Sequence, residues 1–193
     1  MLVKPLTLKD FQKASLIHFS TLSDISSLCG LGIVKKLYKK LISDDNHFCL
    51  GAWQRTDLIA LITVSYDMNN SDKLMHGLFS FSDFLRITMK ILTGKLSLWR
   101  IFQRLVFENS VKRYLPNKYS SIVTLCVEDK FQRKGIGKKL VKTAIMRLKE
   151  KKINYLYVDT REDNLKALSF YKSLGFKIVL QSAGGILLKI KLK

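Results

Sequence analysis

The chain has 193 residues, 34 of them Lys or Arg against 15 Asp or Glu, and so carries a formal charge of +19. Its 47% apolar content is enough to bury a substantial core, which excludes a disordered chain. A cationic surplus of this size predicts an anionic partner: nucleic acid, an acidic membrane surface or a phosphate-bearing small molecule.

Residues 2–6 read as a strand, and Thr7 caps a helical stretch that runs to about His18. Ser23 and Asp24 offer a second cap before a helix to Ile42, in which Ile33, Leu37 and Leu41 recur at helical spacing. Residues 48–54 and 58–66, separated by Arg55, Thr56 and Asp57, form a hairpin. Between Ser71 and Tyr114, apolar Leu85, Met89, Leu92, Leu96, Trp99, Phe102 and Val106 alternate with Arg86, Lys90, Lys95, Arg100 and Arg104. This spacing predicts two amphipathic helices broken near Thr93 and Gly94, an insertion over about 71–115. Such a segment is either a basic lid, a membrane-surface helix or an ordinary helical insertion with solvated charges.

From Ser121 the order becomes strand (122–127), glycine turn, helix (135–151), strand (153–160), helix (164–174), strand (176–181) and a last strand over Gly185–Lys191. Strands alternating with helices of this length imply an α/β (mixed α+β) domain built on a central mixed sheet. No repeat or low-complexity linker divides it, so one domain over 1–193 is expected. Cys29, Cys49 and Cys126 are odd in number and far apart, which argues for neither a disulfide framework nor a metal site and favours a reducing compartment. Without a signal-peptide core or an apolar run of about 18 residues, the expectation is a soluble cytoplasmic protein with no integral membrane segment.

The sharpest local feature is Gln132-Arg133-Lys134-Gly135-Ile136-Gly137-Lys138, directly between a strand and a helix. Its glycines permit a tight turn whose amides converge at the positive end of a helix dipole, a place for a pyrophosphate. Ile136, Leu140, Ala144, Ile145 and Leu148 form the stripe that would seat this helix on the sheet. Downstream, Asn164, Ala167 and Tyr171 share one helical face, and Gly175 ends that helix as a left-handed residue.

The combination of strand, Q-x-x-G-x-G, helix, strand and N-x-x-A-x-x-x-Y-x-x-x-G-F resembles the GCN5-related N-acetyltransferase (GNAT) family over residues 122–178. The resemblance implies a mixed sheet, flanked by helices, that splays beside Val127 to admit the pantetheine arm of acetyl-CoA. It implies that the backbone of Leu125, Cys126 and Val127 pairs with that arm and that amides from Gln132 to Lys138 hold the pyrophosphate. It further implies that Asn164 bonds the arm, that Ala167 belongs to the same contact face, and that Tyr171 is the general acid for the departing thiolate. The base stays open among Glu128, His18, Asp159, His76 and Glu108.

Residues 18–23, Leu31-Gly32, Leu37-Tyr38 and the basic insertion also resemble a GNAT subgroup of bacterial surface-polysaccharide gene clusters. That resemblance implies an acceptor amine on a dTDP- or UDP-linked sugar, with Arg86, Lys90, Arg100 and Arg104 facing its phosphates, and no nucleic-acid partner. A homodimer remains one compatible assembly. The competing readings are a GNAT acting on a protein or peptide amine, and a non-catalytic basic protein that binds nucleic acid or a membrane surface.

Overall fold

The computed structural model describes residues 1–22, 27, 30–69, 88, 93 and 97–192. The expected cap at Ser23 and Asp24, the first insertion helix, Cys29 and His76 lie outside these residues.

Strand β1 (Leu2–Pro5) leads into a short turn in which the Thr7 amide and hydroxyl both donate to Asp10 Oδ2 at 2.8 Å. Helix α1 (Phe11–Thr21) follows directly, and α2 (Leu31–Ser43) begins after Gly30. Strands β2 (His47–Gln54) and β3 (Asp57–Ser65) form the expected hairpin, with Arg55 in the left-handed region at φ 54°. Helix α3 (Leu98–Tyr114) is the second half of the insertion, capped by the Ser97 hydroxyl. Then come β4 (Ser120–Val127), α4 (Ile136–Glu150), β5 (Tyr155–Arg161), α5 (Leu165–Ser173), β6 (Lys177–Ser182) and β7 (Gly185–Lys191).

The seven strands form one sheet in the order β1-β2-β3-β4-β5-β7-β6. Among the described strands only β4 and β5 run parallel, so the sheet is mixed, as expected. One face is covered by α4 and α5. Ile136, Leu140, Val141, Ala144 and Leu148 of α4, with Leu168 and Tyr171 of α5, pack against Leu50, Ile62, Ile122, Val158 and Leu188. The other face carries two separate blocks. Helices α1 and α2 cover β2 to β4 through Ile17, Val34, Tyr38 and Leu41 against Cys49, Leu61 and Cys126. Helix α3 covers β5 and β7 through Phe107 and Val111, joined by Leu115, against Tyr157 and Leu187.

The seating of α3 corrects the expected stripe. Its buried residues are Phe107 and Val111, whereas Trp99 (64% exposed) and Phe102 (55%) face outward and stack on each other. The helix is pressed onto the β6–β7 turn so closely that a Cβ on Gly185 would lie 2.4 Å from the Phe107 ring. In α4, likewise, Val141 is fully buried and Ile145 only partly so.

Candidate active site

Strand β4 changes neighbours along its length. Its pairing with β3 skips Val123, because Thr63 faces Thr124 while Val64 faces Ile122. A bulge of this kind bends and twists a strand locally. On its other edge β4 pairs with β5 only from Ser120 to Ile122, opposite Leu156 to Val158. Beyond that point β5 stays with β7 as far as Arg161 opposite Gly185, and β4 stays with β3 as far as Val127 opposite Ala60. The two central strands therefore part beside the bulge. Leu125, Cys126 and Val127 form one wall of the gap and Asp159, Thr160 and Arg161 the other, and the wall-facing backbone groups of β4 have no β5 partner.

At the end of the β4 wall the chain turns through Asp129–Phe131 and Gln132 into α4. The Gln132 side chain donates to the Val127 carbonyl at 3.1 Å and to Asp129 Oδ1 at 2.7 Å, folding the turn back onto the strand. Arg133 (φ 58°) and Gly135 (φ 75°) adopt left-handed conformations, and the space beside Gly135 is open. The first backbone bond of α4 runs from the Lys139 amide to the Gly135 carbonyl at 3.0 Å. The amides of Ile136, Gly137 and Lys138 thus precede the first helical bond, free to point outward at the positive end of the dipole. The Gln132 amide is different: it donates to Asp129 at 3.1 Å and closes the preceding turn, so it is withdrawn from the expected amide cradle. A Cβ on Gly137 would lie 3.4 Å from Phe170 and 3.7 Å from Val127, which brings the start of α4 close against both α5 and the wall of the gap.

Helix α5 delivers the third component. Asn164 caps it, its Oδ1 accepting from the Ala167 amide at 3.1 Å, and Ala167 packs partly buried on the core. One turn on, Tyr171 is buried with its ring edge-on to Phe170 at 5.1 Å and Phe176 at 5.4 Å. Gly175 (φ 90°) ends the helix as expected. Burial, and after it the negative charge of Asp159, pushes the Tyr171 phenol above its ordinary range. Tyr171 belongs to the same apolar cluster on which Leu125 and Val127 of the β4 wall pack.

The candidate bases fall in distinct surroundings. Glu128, just past β4, is held by Lys13 at 3.0 Å and Lys130 at 3.4 Å. His18 is completely buried, with Nδ1 3.1 Å from the Tyr38 hydroxyl, which in turn lies 3.2 Å from Thr124 Oγ1 on β4. Asp159 accepts from Arg104 Nη1, and Glu108 accepts from Arg104 Nε at 2.7 Å. Asp159, and after it Glu108, keep that guanidinium charged despite its partial burial. Arg104 is therefore committed to two carboxylates rather than presented to an acceptor's phosphates. Neither this pairing nor the Tyr38–Thr124 link under His18 had a signal in the spacing, since each joins residues more than 50 positions apart.

The two parted strands, the glycine turn at the start of α4 and the buried Tyr171 make up the candidate site. The sequence profile described as the acetyltransferase (GNAT) family matches residues 34–176, and the chain belongs to that family. The fold is shared with the ribosomal-protein-S18-alanine N-acetyltransferase of Escherichia coli, at TM-score 0.61 and 14% identity over 100% of this chain and 94% of that one. It is shared with the PaiA N-acetyltransferase of Thermoplasma acidophilum in complex with coenzyme A, at TM-score 0.63 and 15% identity over 99% of each chain. Arabidopsis thaliana NAA60 in complex with acetyl-CoA aligns at TM-score 0.61 and 13% identity over 99% and 98%. N-alpha-acetyltransferase 30 of Xenopus laevis is 42% identical over 55 residues, 28% of this chain. That alignment spans a fifth (20%) of the curated relative's length. Among the described residues, no helix is long and apolar enough to cross a membrane.

Proposed function

We propose that this protein transfers the acetyl group of acetyl-CoA directly to the amine of a nucleotide-linked (dTDP or UDP) amino sugar. The observation that carries acetyl transfer is the gap itself: β4 backbone without a β5 partner, a helix start with outward amides at its end, and the buried Tyr171 in the cluster on which Leu125 and Val127 pack. These residues fit acetyl-CoA. The backbone of Leu125, Cys126 and Val127 offers strand-like pairing to the pantetheine amides, and the Asn164 side chain, beyond its cap, has an amide free to join them. The amides of Ile136, Gly137 and Lys138, with Arg133, Lys134 and Lys138 side chains around them, hold the pyrophosphate. Bound there, acetyl-CoA supplies a thioester activated toward amines. Tyr171 donates its proton to the departing sulfur. A thiol of pKa about 8.5 accepts from a phenol of about 10 only when the phenol is placed beside it, so position governs this step.

The acceptor is assigned to the opposite face, between the block of α1 and α2 and that of α3, which pack on different strands. Support for an anionic, nucleotide-linked acceptor is the +19 surplus, larger than coenzyme A alone requires. A second reading, a peptide amine, is favoured by the pairing of Arg104 with Asp159 and Glu108, which neutralises an insertion cation beside the gap. Thiol release from acetyl-CoA across dTDP- and UDP-linked amino sugars, free peptide N-termini and spermidine separates them. A rate on a nucleotide sugar is expected; a clear rate on a peptide with none on any nucleotide sugar overturns that acceptor class.

A further inference from the structure

Asp159 is the first residue of β5 beyond its last pair with β4, Ile122 opposite Val158. Its neighbours Tyr157 and Val158 face α3 and the α4–α5 core respectively. By strand alternation Asp159 shares the Tyr157 face, the acceptor side of the sheet. Its side chain is 31% exposed, and only Oδ2 is engaged, by Arg104. Among the described residues Oδ1 has no hydrogen-bond partner. The competing groups are less available: Glu128 is gripped by two lysines, and His18 is sealed beneath α1 against Tyr38.

Arg104 reaches this carboxylate from the insertion. Phe107 and Val111 seat α3 on β5 and β7, Ser110 meets Ser182 at 3.1 Å, and Glu108 holds the Arg104 Nε one turn along the same helix. The guanidinium is thereby aimed at β5 from a fixed helix. A planar group held at two points keeps its partner in one orientation better than a single flexible ammonium does.

Resting on the acetyl-transfer reading, we propose that Asp159 takes up the proton released by the acceptor nitrogen, and that Arg104 is the positioning residue through which the insertion holds that carboxylate at the gap. As the nitrogen–carbon bond forms and the carbon–sulfur bond breaks, one proton passes from nitrogen to Asp159 Oδ1 and another from Tyr171 to sulfur. Proton transfer through solvent from Asp159 to the Tyr171 oxygen restores both groups, leaving amide and thiol as the only products. A nitrogen already bonded to the acyl carbon is more acidic than a free ammonium, which brings its proton within reach of a carboxylate.

The test compares Asp159→Asn, Arg104→Ala, Arg104→Lys and the Arg104→Ala/Asp159→Asn double variant in the full chain. Thiol release is measured with a UDP-linked amino sugar and a free-N-terminus tripeptide, and acetyl-CoA binding by calorimetric titration. Asp159→Asn is expected to lower kcat about 10²-fold with acetyl-CoA affinity within twofold of the parent. Arg104→Ala lowers kcat about tenfold, Arg104→Lys recovers part of the loss, and the double variant is no slower than Asp159→Asn. Turnover of Asp159→Asn within twofold of the parent, losses that multiply in the double variant, or acetyl-CoA affinity that falls in step with turnover each overturns the proposal. Failure of the parent protein to bind acetyl-CoA, or binding without transfer to either acceptor, overturns the acetyl-transfer reading and this role with it.

Discussion

Tyr171 owes its burial and its position to the same neighbours. Phe170 and Phe176 fix the ring edge-on, Gly175 turns the chain so that Phe176 returns to it, and the resulting burial holds the phenol protonated through the neutral and mildly alkaline range. Because the shift is upward, the proton is retained as pH rises past the ordinary tyrosine value, and in the proposed reaction it passes only to a group as close as the sulfur. Tyr171→Phe removes one oxygen and keeps the ring, so the core loses almost no volume. We expect kcat to fall about 10²-fold, with acetyl-CoA affinity and unfolding midpoint nearly unchanged; steady-state kinetics beside calorimetry measures this, and unchanged turnover removes the acid role. The family motif singles this residue out in the sequence, and its reading as a core tyrosine agrees with its burial. Asn164 was singled out by the same motif, and in the fold it caps α5 through Oδ1.

At the scale of elements, helix α3 shows where periodicity stops being informative. Leu96, Trp99, Phe102 and Val106 satisfy a helical period, and so do Phe107, Val111 and Leu115. The period identifies a helix with two apolar faces, but the surface it docks against decides which face is buried. That surface is the β6–β7 turn, where Gly185 admits the Phe107 ring. Gly185→Ala must move either the turn or the helix, and overpacking of this kind costs about 1–3 kcal/mol. Urea unfolding is expected to show that loss, accompanied by lower turnover as Arg104 is carried away from Asp159; a variant as stable as the parent would mean the helix is loosely seated. The parting of β4 and β5 was expected from family resemblance alone. Its local cause, the unpaired Val123, carries no glycine or proline to mark it and emerges only from the register with β3.

For the molecule as a whole, the charge of +19 proved a poor guide to where the cations act. Composition counts Arg104 as surplus, yet in the fold it answers Asp159 and Glu108, while Lys13 and Lys130 answer Glu128. Such pairings link distant segments, and a chain read in order cannot show them. The strand and helix order, by contrast, was legible throughout the described residues, because it depends on hydrophobic period and on turn glycines that act locally. Among the described residues the turn before α4 gathers Arg133, Lys134 and Lys138 around its amides, on a scale suited to a pyrophosphate rather than to a duplex backbone. The most direct test of this account is a crystal structure of the protein grown with coenzyme A. The account predicts the pantetheine arm between Leu125–Val127 and Asp159–Arg161, the pyrophosphate on the amides of Ile136 to Lys138, and the thiol within hydrogen-bond reach of the Tyr171 hydroxyl. Coenzyme A bound anywhere else, or a sulfur out of reach of Tyr171, would contradict it.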